Sequence, residues 1–221
     1  MPFFASLWAK ENRFEFANVV ADSVSRVACL GLLAASGMIA LGKPAIALVF
    51  TGGHFTRADA NQCFAYFAVF SISVFLWSAQ AIYSRAFFAA GNTLVPMVAG
   101  TVVTLISLPI YFSLFHGFGA MGLAVASDIG ITMQTLVIAG LLHRRRMVSM
   151  MSLDYREMGR CLASGIAAGA AIWIIFSWLA GMVVHSRSRW FDLVVLVVGG
   201  ALWAGMTFIV LKQTGRRCRP F

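Results

Sequence analysis

Long apolar runs alternate with short polar breaks along this 221-residue chain. Each run approaches or exceeds the ~20 residues that a helix needs to cross the hydrocarbon core of a bilayer. The pattern predicts six transmembrane helices, at about residues 27–50, 63–90, 94–115, 120–142, 161–184 and 191–211. We therefore expect an all-α, polytopic membrane protein.

The segment before the first run has a different pattern. Phe16, Val19, Val20 and Val24 recur at helical spacing, with polar residues between them. This spacing predicts an amphipathic helix that lies on the membrane surface and runs into the first span. The segment has no basic start followed by a cleavable apolar stretch, so its pattern is not typical of a signal peptide.

A polar linker divides the predicted helices into two groups. It covers residues 147–160 and mixes acidic and basic side chains. We expect residues 1–146 to hold the amphipathic segment and four helices. Residues 147–221 would hold the linker, the final helix pair and a basic tail.

Composition and charge support a membrane location and give an orientation. Hydrophobic residues make up 60% of the chain and charged residues 11%, whereas soluble domains carry about 25% charged residues. Of the 17 lysines and arginines, 13 fall on the side of the membrane that holds both termini, and three fall on the opposite side. Basic residues collect on the cytoplasmic side, so we expect cytoplasmic termini. This bias explains the net charge of +9 without nucleic acid.

One short stretch has the composition of a tight turn between two helices at the membrane surface. Gly91 can adopt the left-handed conformation that ends a helix. Thr93 or, as the less favoured alternative, Asn92 can cap the next helix, and Pro96 then falls in its first turn, where a missing N–H costs little. Arg85, just before this turn, is the only formal charge between Asp59 and Asp128.

Two ionisable residues fall inside predicted spans. Asp128 is eight positions from the outer end of its helix, at a depth of about 12 Å, and Lys43 is about 10 Å from the outer end of its own. Such residues often mark a transport path, and the matching depths allow an ion pair. The alternatives are a lysine that extends to the outer surface and an aspartate that hydrogen-bonds to a neighbouring helix.

The sequence offers no catalytic or metal-binding constellation. The four cysteines and four histidines are scattered, without a paired spacing that suits a disulfide framework or a metal. Within the spans, no nucleophile has a nearby base in sequence. We therefore expect no enzyme activity, cofactor or metal.

Several stretches resemble the MurJ/MviN family, the lipid II flippases of bacterial cell-wall synthesis within the MATE-like superfamily. Residues 85–96 are similar to the family's arginine–Ala–Phe–aromatic–Ala stretch and its Asp/Asn–Thr–x–x–Pro turn. Residues 44–50 and 53–60 resemble the end of the preceding span and its outer loop, and residues 119–126 resemble the start of a later span. The order and spacing match spans nine to twelve of about fourteen.

The resemblance implies a partial MATE-like fold, with the last two helices as the final spans. It also implies a role as the C-terminal portion of a lipid II flippase in the bacterial inner membrane, incomplete without a first lobe. The residues carried over are Arg85 and the turn through Asn92, Thr93 and Pro96, as a hinge at the cytoplasmic mouth. Asp128 falls where the family suggests a small or hydroxyl residue, which leaves its role open.

The partners implied are membrane lipids and a lipid-linked glycan precursor. A second chain that supplies the missing lobe, or a second copy of this chain, would complete the cargo path, because so few helices cannot enclose one alone. Two other functions remain open. One alternative is a membrane interaction module without transport. The other is part of an exporter of another polyprenyl-linked glycan or amphiphile.

Overall fold

The computed structural model describes residues 2–9, 12–52, 54–148, 150–182 and 189–214. These residues are almost entirely helical, which confirms the predicted all-α class. The helices are α1 (Pro2–Ala9), α2 (Arg13–Phe50), α3 (Arg57–Ile72), α4 (Val74–Ala89), α5 (Leu94–Arg144), α6 (Tyr155–Met182) and α7 (Arg189–Thr214), with a short 3-10 turn at Met150–Ser152.

Among the described residues, five helical stretches are long and apolar enough to cross a membrane. The longest, α5, has 51 residues and contains Gly119 in a non-helical conformation (φ 60°, ψ −137°). The chain reverses there, and two close approaches between the halves of α5 show this. A Cβ on Gly122 would collide with the backbone of Leu114, and a Cβ on Gly100 would lie 3.1 Å from Nε2 of Gln134. The count of five treats the two halves of α5 as one stretch, and the exact number of six spans stays a prediction.

Some boundaries differ from the predicted ones, and others cannot be compared. Helix α2 is continuous from Arg13, so the amphipathic segment and the first span form one helix. The predicted helix 63–90 is interrupted at Ser73, between α3 and α4. The end of the predicted helix 161–184, the outer loop at 185–188 and the basic tail beyond residue 214 lie outside the described residues.

The described residues divide into two compact units. The first contains the chain up to Gly31 and Ile72–Met158. Its core includes Phe16, Phe87, Ile138 and Leu142, all nearly inaccessible to solvent. Helix α1 packs on this core through Trp8, whose ring centroid lies 5.1 Å from that of Phe16.

The second unit contains Leu32–Ser71 and the chain from Gly159 onward. Glycines allow close helix contacts here: a Cβ on Gly165 would lie 2.8 Å from Oγ of Ser36. Ser36 also accepts a hydrogen bond of 3.2 Å from Nε1 of Trp203. The sequence predicted a boundary after residue 146 between the four-helix part and the final helix pair, and this boundary stays a prediction.

Candidate functional site

In the turn between α4 and α5, the C-terminal cap of α4 is followed directly by the N-terminal cap of α5. Gly91 has φ 72°, and the N–H groups of Gly91 and Asn92 donate to the carbonyls of Phe88 and Phe87, both at 3.0 Å. This is the Schellman arrangement, in which a left-handed residue closes a helix end. The predicted role of Gly91 is therefore confirmed.

The cap of α5 differs from the favoured prediction. Thr93 makes no side-chain capping hydrogen bond, whereas Oδ1 of Asn92 accepts a 3.2 Å hydrogen bond from the N–H of Val95. The αR backbone of Thr93 continues into the helix, so the side chain one residue earlier reaches the open N–H. Pro96 lies buried in the first turn of α5, as predicted.

Arg85 lies near the C-terminal end of α4 with its side chain exposed, while the next two residues, Ala86 and Phe87, are buried in the core. Among the described residues, Arg85 has no ion pair or hydrogen bond. Its position suits contact with water or lipid headgroups. Its role in a hinge stays a prediction.

A second arginine group, which the sequence analysis treated only as an orientation signal, surrounds the end of α5. Arg144, Arg145 and Arg146 are all exposed, and Met147 and Val148 behind them are buried. Arg146 has φ 57°, a conformation that favours glycine. The guanidinium of Arg145 lies 5.8 Å from the ring centroid of Phe87. The ends of α4 and α5 therefore present basic groups around one shared core.

Asp128 is half-buried in the second half of α5, and Ser73, at the break between α3 and α4, lies near its carboxylate. The Oδ1 atom is buried and has no hydrogen-bond partner among the described residues. The two alternatives for Asp128, a hydrogen bond to a neighbouring helix and a place on a transport path, stay predictions.

Lys43 lies inside α2 beside Pro44, with its side chain exposed. It belongs to the second unit, whereas Asp128 belongs to the first. An ion pair between Lys43 and Asp128 stays a prediction.

A cleft of about 330 Å³ opens in the first unit between α4 and the two halves of α5. Its lining includes the polar side chains of Thr104, Ser107, Tyr111, Ser127 and Gln134, with Trp77 at one side. Within the described part of the chain, the Tyr111 hydroxyl and the Gln134 amide have no hydrogen-bond partner. Lipid chains cannot satisfy such groups.

The second unit holds an ion pair that the sequence analysis missed. Arg57, the first residue of α3, lies 3.4 Å from the carboxylate of Asp192 in the first turn of α7. Thr56 and Asp59 fix this end of α3: the Thr56 N–H donates to the Asp59 carboxylate at 2.8 Å, and the Asp59 N–H to the Thr56 hydroxyl at 3.3 Å. Arg57 and Asp192 are 135 positions apart, so no spacing pattern in the sequence indicates that they form an ion pair.

No group of three or more histidine, cysteine or acidic side chains that could hold a metal occurs among the described residues. The long apolar helices and the basic helix ends define a polytopic α-helical membrane protein.

Comparison with known proteins gives the family. The family model described as "Lipid II flippase MurJ" matches residues 1–217. A probable lipid II flippase MurJ of Vibrio cholerae is 23% identical over 171 residues, which are 75% of this chain and 32% of that protein. One from Bdellovibrio bacteriovorus is 26% identical over 111 residues, which are 50% of this chain and 21% of that protein. The chain belongs to the MurJ family.

The fold comparison agrees. A structure of lipid II flippase MurJ in an inward closed conformation superimposes with a TM-score of 0.71 at 16% identity, covering 96% of this chain and 42% of that protein. The likeness shows that the two share a fold over nearly the whole chain. The chain spans less than half the length of each of these proteins.

Proposed function

We propose that this chain forms part of a lipid II flippase of the bacterial inner membrane and acts as a transporter, not as an enzyme. The observation that carries the proposal is the MurJ family match, which extends over residues 1–217. The cargo would be the lipid-linked peptidoglycan precursor, and membrane lipids would surround the helices.

The chain works, on this proposal, with further helices that complete the cargo path. It corresponds to 42% of the MurJ structure that it resembles. The polar cleft supports this view, because a neighbouring helix with hydrogen-bonding side chains would satisfy Tyr111 and Gln134, whereas lipid would not. Those helices come from a separate chain, from a longer form of this one, or from a second copy.

The orientation proposed places both termini in the cytoplasm. The exposed arginines at the end of α5 and the exposed Arg85 support it, since they fall on one side together with the N-terminal basic residues. The turn from Asn92 to Pro96 then lies at the cytoplasmic mouth, where it acts as a hinge between α4 and α5. Lys43 and Asp128 would lie along the path within the membrane.

A chimera tests the proposal. The segment of the Vibrio cholerae relative that matches this chain is replaced by residues 1–217, and the chimera is expressed in cells depleted of their own MurJ. We expect it to support growth and to move lipid II to the outer leaflet. A chimera that reaches the membrane at the normal level but moves no lipid II would contradict the proposal.

The proposed hinge role of Arg85 is tested separately in the same chimera, with a control variant. Arg85→Ala is expected to impair translocation, because it removes the charge that immediately precedes the turn in the chain. Arg156→Ala removes another exposed arginine, in the first turn of α6, and is expected to leave translocation intact. Full activity of the Arg85 variant would reject the hinge role while leaving the flippase proposal in place.

A further inference from the structure

The cleft between α4 and the two halves of α5 is lined by a polar stripe on each half. On the first half the stripe consists of Thr104, Ser107 and Tyr111, and on the second half of Ser127 and Gln134. Residues three, four and seven positions apart lie on one face of a helix. Each stripe therefore runs about 10 Å along its helix, and the cleft is a groove between two antiparallel segments.

The polar groups in these stripes differ in whether the chain itself satisfies them. The hydroxyls of Thr104 and Ser107 donate to backbone carbonyls four positions earlier, at 2.9 and 2.7 Å. The hydroxyls of Tyr111 and Ser127 and the amide of Gln134 have no hydrogen-bond partner among the described residues. Their O–H and N–H groups are donors, and orphaned donors are rarer in folded proteins than under-used acceptors. The groove therefore needs an acceptor from another source.

The cleft has room for side chains from a neighbour. Gly130 lies between Ser127 and Gln134 on the second half, and a Cβ there would be 3.6 Å from the Tyr111 hydroxyl and 3.7 Å from that of Ser107. Because glycine has no side chain, this part of the cleft stays open. The cleft volume of about 330 Å³ is about ten times the ~30 Å³ that a water molecule occupies in the liquid. A single water molecule is too small to fill it.

Three kinds of occupant differ in what they offer this groove. A lipid chain is long enough but offers no acceptor. A charged headgroup finds no counter-charge, because none of the described side chains that line the cleft is charged. A transmembrane helix offers a ridge of side chains that packs into such a groove, and a polar side chain on it can bond across the helices. A helix therefore suits both the shape and the donors.

The fold comparison indicates the source of such a helix. This chain covers 42% of the MurJ structure with which it superimposes, so more than half of a protein of that kind lies outside it. That portion must pack on surfaces that these helices expose. A groove with unsatisfied donors is a surface that gains hydrogen bonds from such packing.

We propose that the cleft is the docking site of a transmembrane helix from the remaining portion of the flippase, and that this helix inserts an amide or carboxyl oxygen between Tyr111 and Gln134. This role rests on the proposed function, because the partner helix belongs to the flippase. Tyr111 and Gln134 donate to the inserted oxygen, and Gly130 leaves room for it. The contact selects the partner helix and fixes its register on α5.

The affinity between the two portions tests the docking site. This chain and the remaining portion of the Vibrio cholerae relative carry different fluorophores, and energy transfer between them is measured in liposomes at several protein-to-lipid ratios. Tyr111→Phe and Gln134→Leu are each expected to weaken the association about fivefold, as for one hydrogen bond between membrane helices. Thr101→Val is the control, because this hydroxyl donates to a carbonyl of its own helix at 3.0 Å, outside the cleft lining. It should leave the affinity unchanged.

The isolated chain shows whether the same groups serve its own fold. Tyr111 and Gln134 have no hydrogen-bond partner among the described residues. Neither variant is therefore expected to lower the melting temperature of the full chain in detergent. A loss of about 2 °C or more, as for a hydrogen bond within the chain, would overturn the docking role.

A larger side chain tests the space itself. Gly130→Leu fills the cleft and is expected to reduce the energy transfer to the background level. Gly140→Leu is the matched control on the same half of α5, because a Cβ there meets nothing within 4 Å and Gly140 does not line the cleft. It should associate as the unchanged chain does. The melting temperature of each variant alone shows whether it folds, and the two polar variants decide if Gly130→Leu does not.

Several results would overturn the docking site. One is unchanged affinity for both Tyr111→Phe and Gln134→Leu, and another is a loss for Gly140→Leu as large as that for Gly130→Leu. Energy transfer between two copies of this chain that Tyr111→Phe abolishes would make the occupant a second copy. A melting temperature that N-acetylglucosamine raises in the unchanged chain, but not in Gly130→Leu, would make the occupant a sugar.

The docking site and the flippase function fail in different ways. A chimera that moves lipid II, together with an association that none of the cleft variants weakens, would reject the docking site and keep the function. A chimera that moves no lipid II, together with the expected pattern of affinities, would reject the function and keep the docking site.

Discussion

The ion pair of Arg57 with Asp192 yields an asymmetric prediction. The Asp192 side chain is 10% exposed and that of Arg57 is 42% exposed. Arg57→Ala leaves a nearly buried carboxylate without its cation, which should destabilise the protein by about 2 kcal/mol. Asp192→Ala leaves a guanidinium that can hydrate, so the loss should be about 1 kcal/mol, including the lost acidic group at the start of α7.

Thermal unfolding of the purified chain in detergent measures both values. For a chain of this length, about 1 kcal/mol corresponds to about 2–4 °C in melting temperature. The double variant should be less destabilised than the sum of the single variants, because the unpaired carboxylate is gone. Arg156→Ala, at an exposed site in α6, is the control and should change stability by no more than about 0.5 kcal/mol.

Two results would refute this reasoning. One is additivity of the single effects within about 0.5 kcal/mol, which is the behaviour of independent sites. The other is an Asp192→Ala loss as large as that of Arg57→Ala, because the burial difference between the partners would then have no energetic consequence.

Two further comparisons test local packing. Gly165→Ala should destabilise the protein by about 1–3 kcal/mol, because the new methyl group would overlap Ser36. Gly205→Ala, with no atom within 4 Å of the new methyl group, should be neutral or slightly stabilising. Equal melting temperatures for the two variants would contradict the close packing of Gly165 against Ser36. Asn92→Ala should lose about 1 kcal/mol of capping energy, and Thr93→Ala should lose little. The reverse order in thermal unfolding would favour the cap first predicted from the sequence.

Much of the fold could be predicted from the sequence because membrane spans are local features. The apolar runs at 94–115 and 120–142, with only four residues between them, were sufficient to predict a chain reversal between two spans. The resemblance of four stretches to MurJ was likewise confirmed by the family match. These signals reside in contiguous residues, so no tertiary information was needed.

The unpredicted features depend on contacts between distant residues. The break between α3 and α4 at Ser73 has no proline or glycine that would predict it. Arg57 and Asp192 are far apart in the chain. Arg146 occupies a left-handed position without being glycine, and the two residues that follow it, Met147 and Val148, are buried. Side-chain partners of this kind follow from packing and not from periodicity.

Translocation by purified components tests the central claim most directly. The chain is placed in liposomes with fluorescent lipid II, alone and together with the remaining portion of the Vibrio cholerae relative, and transfer between leaflets is measured. We expect transfer with both portions and none with this chain as a monomer. Transfer by the monomer alone, at the rate of the combined portions, would contradict the account.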